Sequence, residues 1–302
     1  AVADLGELLR AADVIAAMSV EALLGTTRAF AENAVALRPA PGQAASAANL
    51  RAMLADSTLV ASHRDSHHAV QDPYSLRCTP QVHGAARDVH GFARDCVVRE
   101  LAATVDNPMV LDGEVVSGGN FHGQALAYAA DMLASVCADI AAISERRLDR
   151  LLDPARSRGL PAFLTTNPGL NSGLMISQYT AAAMVVELRA AASPIAVHSM
   201  STSAGQEDHV SMGFTAAMRT RRSVASLRCV LAAELIAAAQ ALELRAPLRA
   251  GPATGAVVAS LRERVPHLDE DRVLAGDLDA AVAWLRANTW RDALRGIGDE
   301  LR

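Results

Sequence analysis

Ser117-Gly118-Gly119-Asn120-Phe121-His122-Gly123 leads into a stretch without proline that runs as far as Asp153. Asn120 has the side chain of an N-cap, an oxygen able to accept a bond from an unpaired first-turn N–H. The pattern predicts a helix from Phe121 to Asp153, stopped by Pro154, which biases the residue before it out of the α region. At 1.5 Å per residue such a helix is about 50 Å long. Leu126, Ala130, Leu133, Cys137 and Ile140 recur at four-three spacing, and Ala129, Met132, Val136 and Ile143 form a second apolar face beside them. A helix apolar on more than one face is usually buried among other helices, so this stretch predicts a helical bundle. Its N-terminus would aim unpaired N–H groups and a partial positive charge at whatever lies in front, and the glycines before it permit close backbone approach. An anionic substrate would suit that place. A capped core helix with no ligand accounts for the same residues.

Bulk composition agrees with a bundle. Of 302 residues, 51% are hydrophobic and only 3% aromatic. Much of the apolar content is Ala, which favours closely packed helices. The net charge is −5 and the pI about 6.0, so no basic field points to nucleic acid. There is no lysine, which excludes a pyridoxal phosphate Schiff base and a P-loop phosphate cradle. Cys78, Cys96, Cys137 and Cys229 show no CxxC spacing and read as reduced thiols of a cytoplasmic protein. No apolar run reads as long and charge-free enough to cross a membrane, and no signal peptide is visible. The chain opens inside a helical pattern, with Leu5, Leu8, Leu9 and Val14 facing one way; this reads as a piece of a longer protein.

Before the long helix, the sequence predicts helices over Val2 to Leu24 (ended by Gly25), Thr27 to Leu37, Ala44 to Ala55 and Val82 to Thr104. Met109 to Val116, centred on Asp112-Gly113, reads as a small β-hairpin, because Asp-Gly is a favoured two-residue turn. After it come helices over Ser172 to Ala192 and Val210 to Leu244, then shorter ones near Ala256–Val265 and Asp277–Ala287. Ser62 to Gln81 has no helical period and reads as a long loop; loops of that length are often functional. Within it His63 and His67 stand four apart, but no third ligand is implied, so no metal is expected.

Three polar patches, 62–81, 117–123 and 199–209, thus interrupt the helices. Helical bundles build sites where such elements converge. The patches supply Gln71, Tyr74, Arg77, Phe121, Gln206 and Glu207. Arg offers a fork matching a carboxylate, Tyr and Glu handle protons, and Phe gives a flat apolar contact. The set suits a small amino or carboxylic acid with an aromatic side group. Each residue also has a plainer role open to it: Arg77 in a buried ion pair, Tyr74 and Phe121 in packing, Glu207 as an acid ahead of a helix N-terminus, and His122 and His209 as structural residues.

Several longer stretches resemble the histidine ammonia-lyases. These are Val70-Gln71-Asp72-Pro73-Tyr74-Ser75-Leu76-Arg77-Cys78, Ser117 to His122, and Gln206-Glu207-Asp208-His209-Val210-Ser211-Met212. Asp106-Asn107-Pro108, Ser144-Glu145-Arg146-Arg147, Leu160-Pro161-Ala162-Phe163-Leu164 and Asn171-Ser172-Gly173-Leu174-Met175 agree with them. The resemblance runs from about residue 1 to about residue 245 and thins beyond. It implies a mostly α fold, a bundle of long antiparallel helices as in the ammonia-lyase/fumarase-like superfamily, assembled as a homotetramer. Residues 1–245 would be the central helical bundle and 246–302 a C-terminal helical segment.

The resemblance also implies elimination of ammonia from an aromatic amino acid, urocanate being the product from histidine. The implied cofactor is 4-methylideneimidazol-5-one (MIO), formed from an Ala-Ser-Gly tripeptide that does not occur in this sequence. In the family that tripeptide, a catalytic tyrosine on a mobile loop and an asparagine beside the cofactor lie upstream of the part resembled here. By the same resemblance Arg77 binds the substrate carboxylate, Tyr74 stands next to the electrophile, Gln71 and Phe121 line the pocket with Gln206 beside them, and Glu207 faces the substrate side chain. Glutamate there favours histidine, whose imidazole N–H it can accept, over phenylalanine or tyrosine. Gly205 departs from the asparagine common in the histidine enzymes, which puts the geometry of that loop in doubt. An aminomutase, a lyase for another aromatic amino acid, and a helical fragment or subunit inactive without the cofactor-bearing segment remain alternatives. The chain alone is expected to be inactive.

Overall fold

The computed structural model describes residues 1–66, 70–296 and 301–302. Among them it has twelve α-helices and one two-stranded sheet. In chain order these are α1 (Val2–Ala22), α2 (Glu32–Ala36), α3 (Pro41–Met53), α4 (Thr58–Ser62), α5 (Tyr74–Arg77), α6 (Thr79–Leu101), β1 (Met109–Leu111), β2 (Glu114–Val116), α7 (Gln124–Leu152), α8 (Met175–Ala191), α9 (Gly213–Glu243), α10 (Pro252–Arg262), α11 (Ala275–Arg286) and α12 (Thr289–Ala293).

The core is where α1, α6, α7, α8 and α9 pack on one another. From Val230 to Leu242, α9 is buried on every side, and α1 is buried from Ala11 to Ala22. Alanine explains how helices fit so closely: it fills little space and loses no side-chain entropy in a helix. Where α3 crosses α6 even alanine is too large. A Cβ on Gly42 would lie 2.1 Å from the Gly84 carbonyl oxygen, and one on Gly84 would lie 2.3 Å from the Gln43 nitrogen.

Charge is buried here as well. Arg147 on α7 is fully buried and grips Glu234 on α9 through Nε (2.5 Å) and a terminal nitrogen (2.9 Å). Ser19 and Ser144 donate to the same carboxylate. A second network joins α1, α3 and α6. Buried Asp13 accepts from Ser46, Asn49, His83 and Arg87. Burial alone would raise the Asp13 pKa, but the charge of Arg87 and the bonds from His83 and Ser46 outweigh it and hold the carboxyl well below its usual range.

The hairpin forms as expected. β1 pairs antiparallel with β2, Met109 opposite Val116, and Asp112 and Gly113 both take positive φ, the two-residue turn whose twist matches the strands. Other expectations change. The long helix begins at Gln124, three residues later than predicted, and Gly123, not Asn120, holds the N-cap position. The Asn120 amide instead donates to the Thr104 carbonyl, at 3.4 Å. Residues 27–37 break into a short 3-10 turn (Arg28–Phe30) and α2. The polar stretch 62–81 is not one loop: it holds the end of α4, all of α5 and the start of α6. His63 bonds the carbonyls of Leu59 and Gly25, and its sequence partner His67 lies outside the described residues. Contrary to the membrane expectation, α7 and α9 are long and apolar enough to cross a membrane by length and composition. Both lie at the centre of the bundle, and most of α9 is buried there.

Candidate active site

The sequence-derived residues fall at two ends of α7. At one end lies the segment 71–78. Asp72 is buried and accepts from the backbone N–H of Thr26 (2.7 Å) and from Arg158 (2.8 Å). Pro73 follows with φ −63°, and its carbonyl accepts from the N–H groups of Leu76 and Arg77, which winds α5. Leu76 turns into the core. That leaves Tyr74 outside, 71% exposed, with the Arg77 guanidinium 4.9 Å from its ring centre, a cation–π distance. Arg77 has no acid partner among the described residues, and its buried Nε has no bond there. The expected alternatives for this pair, a buried ion pair and core packing, are not what the structure shows. Gln71 is exposed and borders a polar cavity of about 420 Å³ with Thr26, Arg28, His63 and Arg64.

At the other end, the loop before α7 and the loop before α9 hold one another. His122 bonds the His209 carbonyl (3.0 Å), and the two rings stack with centroids 5.7 Å apart. The Asp131 carboxylate on α7 accepts from the N–H groups of Ile195 and Ala196, and the Gln124 amide donates to the Ala196 carbonyl. Phe121 is 57% exposed at the mouth of an apolar cavity of about 450 Å³ shared with Val97, Leu126, Phe214 and Ala217. Glu207 stands in an exposed turn closed by a bridge between Thr202 and Glu207. Its carboxylate accepts from Thr202 Oγ1 (2.7 Å) and Ser203 Oγ (2.9 Å), and these bonds, Thr202 first, hold it below the usual carboxylate range. Glu207 does not cap α9, whose N-cap is Met212. Gln206 is exposed beside it, and Gly205, the departure from the family pattern, takes φ +85°.

One chain therefore brings Phe121, Gln206 and Glu207 to one end, and Gln71, Tyr74 and Arg77 to the other. The second end is fixed by Arg147, which donates to the Ser75 carbonyl at 3.4 Å. From Gln124 to Arg147 the helix rises about 35 Å. The expected convergence of all three patches does not occur within one chain.

Arg147, Glu234, Asp72 and Arg158 escape a reading based on exposed chemistry. A signal for Arg147 was available: Leu133, Cys137, Ile140, Ser144 and Arg147 continue the four-three series of the buried face. A cavity of about 630 Å³ between Gly173, Ile176, Asp271, Leu274 and Leu278 holds none of the expected site residues, and Asp271 is occupied by the N–H groups of Ser172 and Gly173.

The profile of the aromatic amino acid lyase family matches residues 1–263. The chain belongs to the aromatic amino acid lyase family. Histidine ammonia-lyase of Anaeromyxobacter sp. (strain K) is 56% identical, over 89% of this chain and 53% of its own length. That of Streptomyces coelicolor is 51% identical, over 100% of this chain and 59% of its own. Among solved structures, histidine ammonia-lyase from Trypanosoma cruzi has a TM-score of 0.90 at 40% identity, covering 98% of this chain and 56% of that one. Tyrosine aminomutase from Streptomyces globisporus has a TM-score of 0.92 at 33% identity, covering 100% and 61%. This member of the lyase family thus spans a little over half the length of the relatives it matches. The mostly helical fold with one small hairpin agrees with the architecture expected from the sequence.

Proposed function

We propose that this chain supplies the carboxylate- and side-chain-binding part of an ammonia-lyase that converts L-histidine to urocanate. The observation that carries the reading is Arg77. Its guanidinium lies over an exposed tyrosine ring with no acid partner among the described residues, so its fork is available to an α-carboxylate. Glu207 supplies the preference for histidine. Its carboxylate, held below the usual range by Thr202 and Ser203, can accept an imidazole N–H that a phenyl ring lacks. Phe121 offers a flat face to the ring, with Gln71 and Gln206 as polar edges. Relatives named histidine ammonia-lyase, at 56% and 51% identity, point the same way.

Loss of ammonia requires that the α-ammonium become a leaving group and that a β-proton go to a placed base. The electrophile MIO, when bound, supplies the first of these. Its parent Ala-Ser-Gly is absent from the sequence, and the exposed Tyr74 beside Arg77, which has no acid partner among the described residues, is a face to which such a group fits. What the chain's own residues do is hold the substrate. Arg77 fixes the carboxylate so that both breaking bonds are aligned, Tyr74 presents its hydroxyl next to it, and Glu207 orients the imidazole. The two groups lie at opposite ends of α7, whose rise from Gln124 to Arg147 is about 35 Å, far more than one histidine spans. A homotetramer in which Arg77 of one copy faces Glu207 of another accounts for that separation. The four cysteines are free, in keeping with a cytoplasmic enzyme.

The test supplies L-histidine to the complete enzyme, following urocanate and ammonia separately, with the 302-residue chain assayed beside it. Urocanate from the complete enzyme and none from the chain alone is the expected result. A β-amino acid product would make the protein an aminomutase, the reading that the tyrosine aminomutase fold favours. Turnover of phenylalanine or tyrosine but not histidine would remove Glu207 from the role given to it, and urocanate from the chain alone would overturn the division of the site.

A further inference from the structure

The segment that carries Tyr74 and Arg77 is tied to the end of α1 by one buried carboxylate. α1 leaves the carbonyls of Ala22, Leu23 and Leu24 without helical partners, at the negative end of its dipole. Two arginines from other elements meet them. Arg245 donates to the Ala22 carbonyl (2.8 Å), and Arg158 donates to those of Leu23 (2.8 Å) and Leu24 (2.5 Å). Arg245 also holds the backbone that carries Arg158, through the carbonyls of Ser157 and Arg158. Burial, and then the charge of Arg158, bring Arg245 down to about 10. Asp72 is the acid that meets Arg158, and its other oxygen takes the Thr26 N–H just beyond α1.

Asp72 is next in the chain to Gln71 and two residues from Tyr74. Pro73 between them has a ring-fixed φ, so the position of Asp72 passes to the first residue of α5 with little freedom lost. From there the Pro73 carbonyl bonds to the Arg77 N–H at 3.0 Å and carries the constraint to Arg77.

We propose that Asp72 and Arg158 are positioning residues for substrate binding: the Asp72–Arg158 pair, braced on the C-terminus of α1, sets where Tyr74 and Arg77 meet the substrate carboxylate. The inference rests on the role given to Arg77 above. Neither positioning residue touches substrate.

The experiment uses Asp72→Asn and Arg158→Lys in the complete enzyme. Asp72→Asn keeps an acceptor for the Thr26 N–H but places an amide against Arg158. Arg158→Lys keeps the charge and loses the fork. KM and kcat for L-histidine are measured with inhibition by urocanate, which carries the carboxylate, and by imidazole, which does not. Assembly and Tm are recorded for each variant. Each folded variant is expected to raise KM about tenfold and lower kcat about threefold or less, as misplaced binding groups do. Urocanate inhibition weakens in parallel while imidazole inhibition stays within about twofold. A folded, assembled variant with unchanged KM and urocanate inhibition overturns the proposal. So does equal weakening of urocanate and imidazole, which marks general loosening of the site. If Asp72→Asn does not fold, the same two results are read from Arg158→Lys. An unaltered enzyme that forms no urocanate defeats the functional reading instead, so the two failures are told apart.

Discussion

The two ends of α7 hold their expected site residues by different means. At the Arg147 end, support comes from beneath: Arg147 with Glu234, and Asp72 with Arg158, are buried or nearly so, and they brace a short exposed turn. At the Gln124 end, Glu207 is held by two hydroxyls of its own exposed loop, and Phe121 lies at the mouth of an apolar cavity. A carboxylate is common to all amino acids, and on the roles proposed here its receptor rests on paired ions beneath it. The side chain is what differs among substrates, and the receptor proposed for it sits on an exposed loop held by that loop's own hydroxyls. On that reading stability and affinity are coupled at the first end, and specificity stands apart at the second.

The strongest attempt to break this contrast is Glu234→Ala, which strands Arg147 in the core. Leaving one partner of a buried pair costs about 3–5 kcal/mol, so denaturant unfolding should show a loss of that order. A loss below about 1 kcal/mol, the scale of exposed pairs, would show that this end is not braced by its ions. Next in size is Arg77→Ala in the complete enzyme. We expect kcat/KM for histidine to fall about a hundredfold, with KM raised and kcat lowered, and the Tm little changed. Unchanged kinetics would remove Arg77 from the site. Glu207→Gln should reduce the preference for histidine over phenylalanine by about tenfold without altering the unfolding curve. A matching loss of stability would erase the distinction between the two ends.

The smallest effect is in acid. Burial lowers the His83 pKa by more than the bond and charge of Asp13 raise it, so the imidazole stays neutral in the fold. The unfolded chain then takes up a proton first, and stability declines as pH falls below about 6.5, the ordinary histidine value. Asp13, held low, stays ionised through that range and adds its own loss only once pH falls below about 3.9. His83→Gln should flatten the first decline in an unfolding series against pH, and an unchanged slope would show that His83 does not set it.

Much of this was legible in the residues. Asp112-Gly113 specified its turn because few pairs accept positive φ at both positions, and the four-three spacing marked the buried face of α7 from Ala130 to Ile140, whereas Met132 of the second apolar face is exposed. The Asn120 cap was misread because capping competes with tertiary contacts, and here the amide reaches Thr104 near the hairpin. The pairing of Arg147 with Glu234 is not visible in composition, which does not show what lies opposite a residue, although the four-three register continued past Ile140 places Arg147 on the buried face. The separation of Arg77 from Glu207 was beyond reach, because motif order along a chain carries no distance.

That separation makes α7 a length standard. One residue inserted between Gln124 and Arg147 would turn everything after it by about 100°, swinging Arg147 away from Glu234 and Ser75. Seven inserted residues would nearly restore the facing yet move the two ends about 10 Å further apart. In the proposed homotetramer either change would upset the spacing at which copies of the chain meet. Over evolutionary time the loops at both ends can gain or lose residues and explore new side chains, while the number of residues in this helix should stay fixed across relatives that differ in substrate.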